Sequence, residues 1–236
     1  VGITLLPLIK NEMSMHQLKT KLSTLLTCLF ITFTSHTFAT QTSTSIDNKK
    51  LRPLLNSERI ELEFGSYGID VLESGESIRV SRLYSTHSSK KVTRTLAIVH
   101  YPEQVDTSFA NEHKKILNGG SIGAVLKAAG WKISKQPQFF GELKSDQDLA
   151  ALYKSFQSSS KENLAIHIYS LYIEKNNTKF KYATIAEVHH PDYLTLNDLK
   201  EIYSTDYNNF NTETEEVKKL IAFIQNKIKS VKIPTT

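Results

Sequence analysis

The feature that most limits the fold is a pair of alternating segments, Leu164 to Glu174 and Lys179 to His190, on either side of Lys175-Asn176-Asn177-Thr178. Apolar and polar residues alternate through both runs, as they do in strands with one buried face. A four-residue polar break between two such runs predicts an antiparallel hairpin. Three more strands are expected earlier in the chain. Ile60, Leu62 and Phe64 alternate with Glu61 and Glu63, and after a bend at Gly65–Gly68 the pattern resumes at Ile69 and Val71. Ile78 to Tyr84 and Val92 to Tyr101 follow, joined by turns at Ser74-Gly75-Glu76 and His87–Lys90. Connections this short favour an antiparallel meander.

Helices are expected in pairs between these strands. The stretch Phe109–Trp131 holds two of them, meeting at Asn118-Gly119-Gly120-Ser121 and ending in the only tryptophan. Asp106 caps the first; in the second, Ile122, Val125, Leu126 and Ala129 recur at helical spacing after a Ser121 cap. An extended segment starts at Trp131 and runs to Pro137 or on to Phe140. A helix over Ser145–Gln157 begins with the capping pair Ser145/Asp148 and is followed by a loop at Ser158–Lys161. Thr195–Tyr203 is a further short helix. A final helix opens with Thr212 and Glu215 and carries Val217, Leu220, Ile221, Ile224 and Ile228 on one stripe. Strands in runs and helices in pairs, with no β-α-β alternation, predict an α+β fold: an antiparallel sheet (meander plus C-terminal hairpin) with amphipathic helices packed on one face. The order hints at two similar halves, although no residue-level repeat supports duplication.

The N-terminus reads differently. Lys19 and Lys21 precede an apolar run from Leu22 to Phe33, and Thr37-Phe38-Ala39 follows. A basic start, a short apolar run and a small residue before the cut describe a secretory signal peptide, with residues 1–12 as an upstream extension. The expected product is periplasmic or secreted, with no retained transmembrane segment, since the run is short for a bilayer span. Residues 40–57 read as a polar tether, and 58–236 as a single globular domain. Cys28, the only cysteine, lies in the leader, so residues 40–236 offer neither a disulfide nor a catalytic thiol.

Charge excludes little. The chain carries 29 basic and 24 acidic residues, a formal +5. Residues 1–39 contribute +2 of that, three lysines against Glu12. The remaining +3 is too small to predict nucleic-acid binding. Arg79, Arg82 and Arg94, with Tyr84 and Tyr101, are placed on one outer face of the meander, their charged ends in solvent.

Three chemical readings arise. Gly119-Gly120-Ser121-Ile122-Gly123 matches G-x-S-x-G, which would make Ser121 a nucleophile with, for example, Asp148 and His167 behind it. The elbow must follow a buried strand, however, and here a helix precedes it. The same glycines, Gly119, Gly120 and Gly123, could let backbone N–H groups meet a small anionic ligand, with Lys127 nearby. Glu187, His189 and His190 end a strand and could supply metal ligands, zinc being the metal such a set favours. No cofactor follows from the sequence. The role these features suggest is a non-enzymatic binding or accessory module of the bacterial envelope, taking a small anionic ligand or an envelope protein as partner. The alternative is a periplasmic hydrolase using Ser121 or the His/Glu metal site.

Overall fold

A computed structural model describes residues 48–144, 149–158, 162–207 and 214–234 of the chain. The expected leader, residues 40–47 of the tether, the Ser145/Asp148 capping pair, residues 159–161 and Thr212 lie outside the described residues. Six strands form one antiparallel sheet: β1 (Gly68–Ser74), β2 (Ile78–His87), β3 (Lys90–His100), β4 (Lys132–Leu143), β5 (Leu164–Lys175) and β6 (Thr178–His189), in the order β1-β2-β3-β6-β5-β4. Each half of the chain contributes a three-stranded meander, and the two meanders join through β3 and β6. Two hairpins owe their tightness to consecutive left-handed residues. Ser88 and Ser89 (φ 48° and 66°) link β2 to β3, and Asn176 and Asn177 (φ 51° and 62°) link β5 to β6. Two positive φ values in a row match the right-handed twist of the paired strands. Pro137 sits within β4, where a register shift between Pro137 and Phe139 accommodates it on an outer strand.

The helices are α1 (Asn48–Leu51), α2 (Asn56–Phe64), α3 (Ala110–Leu117, entered by a 3-10 turn at Thr107–Phe109), α4 (Ile122–Ala128), α5 (Ala150–Phe156), α6 (Leu196–Ile202), α7 (Ser204–Tyr207) and α8 (Glu215–Ser230). The α+β reading holds. The helices, however, cover both faces of the sheet rather than one. On the first face Val80, Leu96, Ile98, Ile166, Ile168 and Val188 pack with Leu152 and Phe156 of α5 and Ile224 and Ile228 of α8. On the second, Val99, Leu171 and Ile185 meet Ile116, Leu126 and Trp131, while Leu83, Ala97 and Ala165 meet Leu51, Ile60 and Leu199. Short connections made the strands legible, but which helix crosses to which face depends on packing. The stripe on α8 is internal core, with Ile224 and Ile228 fully buried.

The expected strand at 58–64 is a helix. Glu58 Oε2 accepts a hydrogen bond from the Leu55 N–H at 2.7 Å, and Gly65 (φ 69°) closes the far end by donating its N–H to the Glu61 carbonyl. Ile60 and Phe64 are four residues apart and therefore share a helical face as readily as a strand face. Leu62, between them, is 56% exposed whereas Ile60 is fully buried. Because Leu51 and Asn56 are buried too, residues 48–57 belong to the folded unit and are not a loose tether. The helix makes a sharp prediction. Leu62→Lys should change stability by no more than about 0.5 kcal/mol, while Ile60→Ala should cost about 2–5 kcal/mol. Equal losses in a urea titration would restore the strand.

Candidate functional site

The second face of the sheet is unusually polar for an interior. One cross-strand row reads Ser81, Ala97, Glu187, His167, Phe140, and the next reads Arg79, Val99, Ile185, Tyr169, Pro137. Alternation aims all these side chains inward, toward α2 and the α3–α4 corner. Between sheet and helices lies a half-closed cavity of about 80 Å³. Its walls include Ile69, Leu83, Val99, Leu171 and Ile185; its polar residues include Arg79, Ser81, Glu187, Tyr67, Ser121 and Lys135. Leu55 and Gly123 close the side between α2 and α4. A Cβ on Gly123 would stand 2.2 Å from Leu55 Cδ1, so the glycine is what lets the two helices meet there.

Arg79 and Glu187 define the electrostatics. Both are buried, at 1% and 4% exposure, and they form no ion pair with each other. Arg79 donates through Nη1 to the carbonyls of Ile116 (3.0 Å) and Gly120 (2.7 Å), and through Nε to Ser81 Oγ (3.0 Å). The Tyr101 hydroxyl stands beside the same guanidinium without reaching hydrogen-bond geometry, and Nη2 is buried with no partner. Glu187 Oε1 accepts from the Tyr169 hydroxyl at 3.1 Å; its Oε2 is buried with no partner. Burial and the Glu187 charge together hold the Tyr169 hydroxyl well above its ordinary pKa, so it stays a donor. Lys135 lies over the Tyr169 ring, its Nζ 5.1 Å from the centroid.

A second polar layer lies behind the cavity. Asn56 of α2 donates to Thr95 Oγ1 (3.0 Å) and accepts from the Tyr193 hydroxyl (2.7 Å), while Thr95 Oγ1 bonds His189 Nδ1 (3.1 Å). Arg59 donates to the Leu51 carbonyl (2.9 Å) and the Tyr203 hydroxyl (2.5 Å). These bonds dock the α1–α2 arm over the sheet. Burial, helped by the charges of Arg59 and Lys135, lowers His189 to about 3. Burial likewise drives His167 well below its usual value, with Lys135, His189 and Arg59 adding to the effect. His167 stacks on Phe140, and neither ring nitrogen has a partner.

The residues singled out from sequence fall into two groups. Ser121, Gly123 and Glu187 line the cavity together. The nucleophile reading of Ser121 does not survive. The residue precedes a seven-residue helix and follows a helix-helix turn rather than a strand, and its side chain faces the Tyr67 hydroxyl. Among the described residues no histidine is hydrogen-bonded to it, and Asp148 lies outside them. Gly119 and Gly120 do not bring their own N–H groups to the anion cradle expected at the start of the Ser121 helix. Gly119 N–H is bonded to the Ile116 carbonyl and Gly120 N–H to the Lys115 carbonyl, both at 3.0 Å. What the corner turns inward is carbonyl oxygen, and Arg79 occupies it. Gly119 is needed for its φ of 103°, and Gly120 because a Cβ would stand 2.9 Å from the Lys115 carbonyl oxygen. Lys127 is held by Glu58 Oε1 at 2.5 Å.

The metal set also separates. Glu187 and His189 share the inner face, but His190 belongs elsewhere: its Nε2 bonds the Phe156 carbonyl at 2.8 Å and its Nδ1 accepts from the Asp192 N–H. Among the described residues no three His, Cys, Asp or Glu side chains are grouped to hold an ion. The arginines placed on one outer face are likewise split and are not in solvent. Arg79 points to the second face, while buried Arg82 bonds Asp70 (2.9 Å) and the Pro234 carbonyl (3.1 Å). The sequence reading missed Arg79, Tyr169 and Lys135 as one group. The available signal was polar residues at inward positions of Val/Ile/Leu-rich strands.

No protein-family model and no curated protein matches the chain. Among solved structures it is similar to the crystal structure of the C-terminal domain of Yurk from Bacillus subtilis, with 14% identity and a TM-score of 0.31. The similarity covers 55% of this chain and 91% of that domain. A likeness at that score bears on neither fold nor function. Among the described residues, no helix is long and apolar enough to cross a membrane.

Proposed function

We propose that the protein is a non-enzymatic binding module that takes a small molecule into the cavity between its sheet and α2/α4. One observation carries this reading. Two buried residues of opposite charge, Arg79 and Glu187, line the same cavity without pairing, and each holds a polar atom with no partner. A buried ion left incompletely bonded costs several kcal/mol, and natural interiors keep such groups mainly where something binds. Apolar walls with a few convergent polar groups are the usual make-up of a small-molecule site. The leader at the N-terminus supports placing this activity in the envelope; N-terminal sequencing of the exported product would test that part, and an uncleaved cytoplasmic protein would overturn it.

Ala97 provides the test of the cavity. It lies on the floor between Ser81 and Glu187 and makes no hydrogen bond through its side chain. Ala97→Leu should fill the space and weaken ligand binding at least about tenfold while leaving the protein folded, because it adds only apolar volume to a void. The measurement is a thermal-shift and calorimetric comparison of wild type and variant against a small-molecule library. Ligands that bind both proteins equally would place the site elsewhere.

A further inference from the structure

The chemistry of the cavity narrows the class of ligand, and this step rests on the binding-module reading above. Two sides of the site ask for different groups. Arg79 Nη2 is a buried donor with no acceptor, and Glu187 Oε2 is a buried acceptor with no donor. They stand in adjacent cross-strand rows, on β2 and β6, with β3 between them. Strands are about 4.8 Å apart and rows on one face about 6.8 Å, so the two Cα positions differ by roughly 12 Å, with both side chains on the same face of the sheet. One small molecule with an acceptor at one end and a donor a few bonds away can serve both.

Charge decides what the acceptor is. Of the charged residues that line the cavity, Arg79 and Lys135 face the single carboxylate of Glu187; two positive charges less one negative leave +1. An anionic group on the ligand reduces that excess, and a carboxylate can accept the charge-assisted N–H bonds of the one nitrogen left free, Nη2. Size decides what kind of molecule can follow. A single water needs a cavity of roughly 10–15 Å³, so 80 Å³ admits about five to eight water-sized groups. The apolar walls leave the body of the ligand aliphatic. Lys135 and Leu55 also line an outer depression that contains Arg52, Ser134 and Asp206, so the cavity and that depression share a wall.

We infer that the cavity binds a small aliphatic hydroxy or amino carboxylic acid, its carboxylate on Arg79 and its hydroxyl or ammonium on Glu187. No bond is made or broken.

The test is an isosteric five-carbon series measured by isothermal titration calorimetry: 2-hydroxy-3-methylbutanoate, valine, 3-methylbutanoate, 3-methylbutan-1-amine and 3-methylbutan-1-ol. The hydroxy acid or valine should bind wild type about tenfold or more tightly than the acid, the amine or the alcohol, because only they complete both charge-assisted contacts. Glu187→Gln keeps an acceptor for the Tyr169 hydroxyl and removes the charge. It should bring valine to the level of 3-methylbutanoate. Should that variant not fold, the wild-type ranking decides alone. If the alcohol or the amine binds as tightly as the bifunctional acids, and Ala97→Leu abolishes it, the ligand class is overturned while the cavity stands. If no member binds wild type at millimolar concentration, or binding ignores Ala97→Leu, the cavity reading falls and this inference with it.

Discussion

Arg79→Met is expected to destabilise the protein by about 3–5 kcal/mol, a large fraction of the stability of an ordinary domain. The reason lies in what the guanidinium holds. Its Nη1 is a donor to two carbonyls, Ile116 and Gly120, that end α3 and form the turn into α4. The Ile116 carbonyl keeps the Gly119 N–H, but the Gly120 carbonyl loses its donor, and a buried acceptor stripped of its donor costs about 1–3 kcal/mol. Removing the cation also leaves the Glu187 carboxylate with less compensation in the interior. Methionine keeps the length and apolar stem of the side chain, so the loss measures the polar contacts and not a cavity. A denaturant titration should show the shift in midpoint at unchanged m-value. A loss below about 1 kcal/mol would mean that Arg79 does not pin the corner, and the carbonyl-facing role of the glycine turn would fail with it.

Acid should unfold the protein through its buried histidines. His167 and His189 have no exposure, and burial holds both neutral, His189 down to about 3. A folded-state pKa below the unfolded value of about 6.5 means that the unfolded chain binds more protons between the two. The stabilisation of the neutral form is therefore complete above about pH 6.5 and declines as pH falls toward the folded pKa. With one proton in play the slope is about 1.4 kcal/mol per pH unit, so His189 alone should cost about 2–3 kcal/mol between about pH 7 and pH 4.5. His167 acts in the same direction. Carboxylates such as Asp70, held low by its contacts to Lys91 and Arg82 despite partial burial, add to the acid loss. A substitution separates the contributions. Neither nitrogen of His167 is hydrogen-bonded, so His167→Leu gives up no hydrogen bond and removes one titrating group. Its stability should fall less steeply than wild type below about pH 6. Parallel curves would show that His167 is not the group that takes up the proton.

These two expectations rest on residues whose importance pattern alone does not reveal. Arg79 in the string Ile78-Arg79-Val80-Ser81-Arg82 looks like one of several solvent-facing arginines. The expectation of one shared outer face already conflicts with alternation, which assigns Arg79 and Arg82 to opposite faces, and alternation does not say that both faces are covered. Helices on both sides turn an outer face into an interior, and that converts Arg79 from a snorkelling side chain into a buried anchor. The same fact explains the Gly119–Gly123 corner. Its glycines and serine suggest N–H groups facing a ligand, whereas the backbone path spends the Gly119 and Gly120 N–H groups on Ile116 and Lys115 and turns the Ile116 and Gly120 carbonyls to Arg79. Residues 58–64 show the limit of periodicity over a short window. Ile60, Leu62 and Phe64 fit a strand by alternation, yet Ile60 and Phe64 also sit one helical turn apart, and the Glu58 cap and Gly65 stop decide for the helix.

By itself the sequence determined the elements whose causes are local. The hairpin of β5 and β6, the first meander, the paired helices after it and the stripe of α8 follow from alternation, capping residues and turn residues, all within a few positions of one another. The α+β class follows from their order. Tertiary structure alone decided how the two meanders meet at β3 and β6, which helices cover which face, and that Arg79, Glu187, Tyr169 and Lys135 share one cavity. Those residues come from four different strands and up to 108 positions apart, so only the pairing of distant strands sets their distances. The free energy of burying a charge depends on what stands across from it, and that neighbour is a property of the fold.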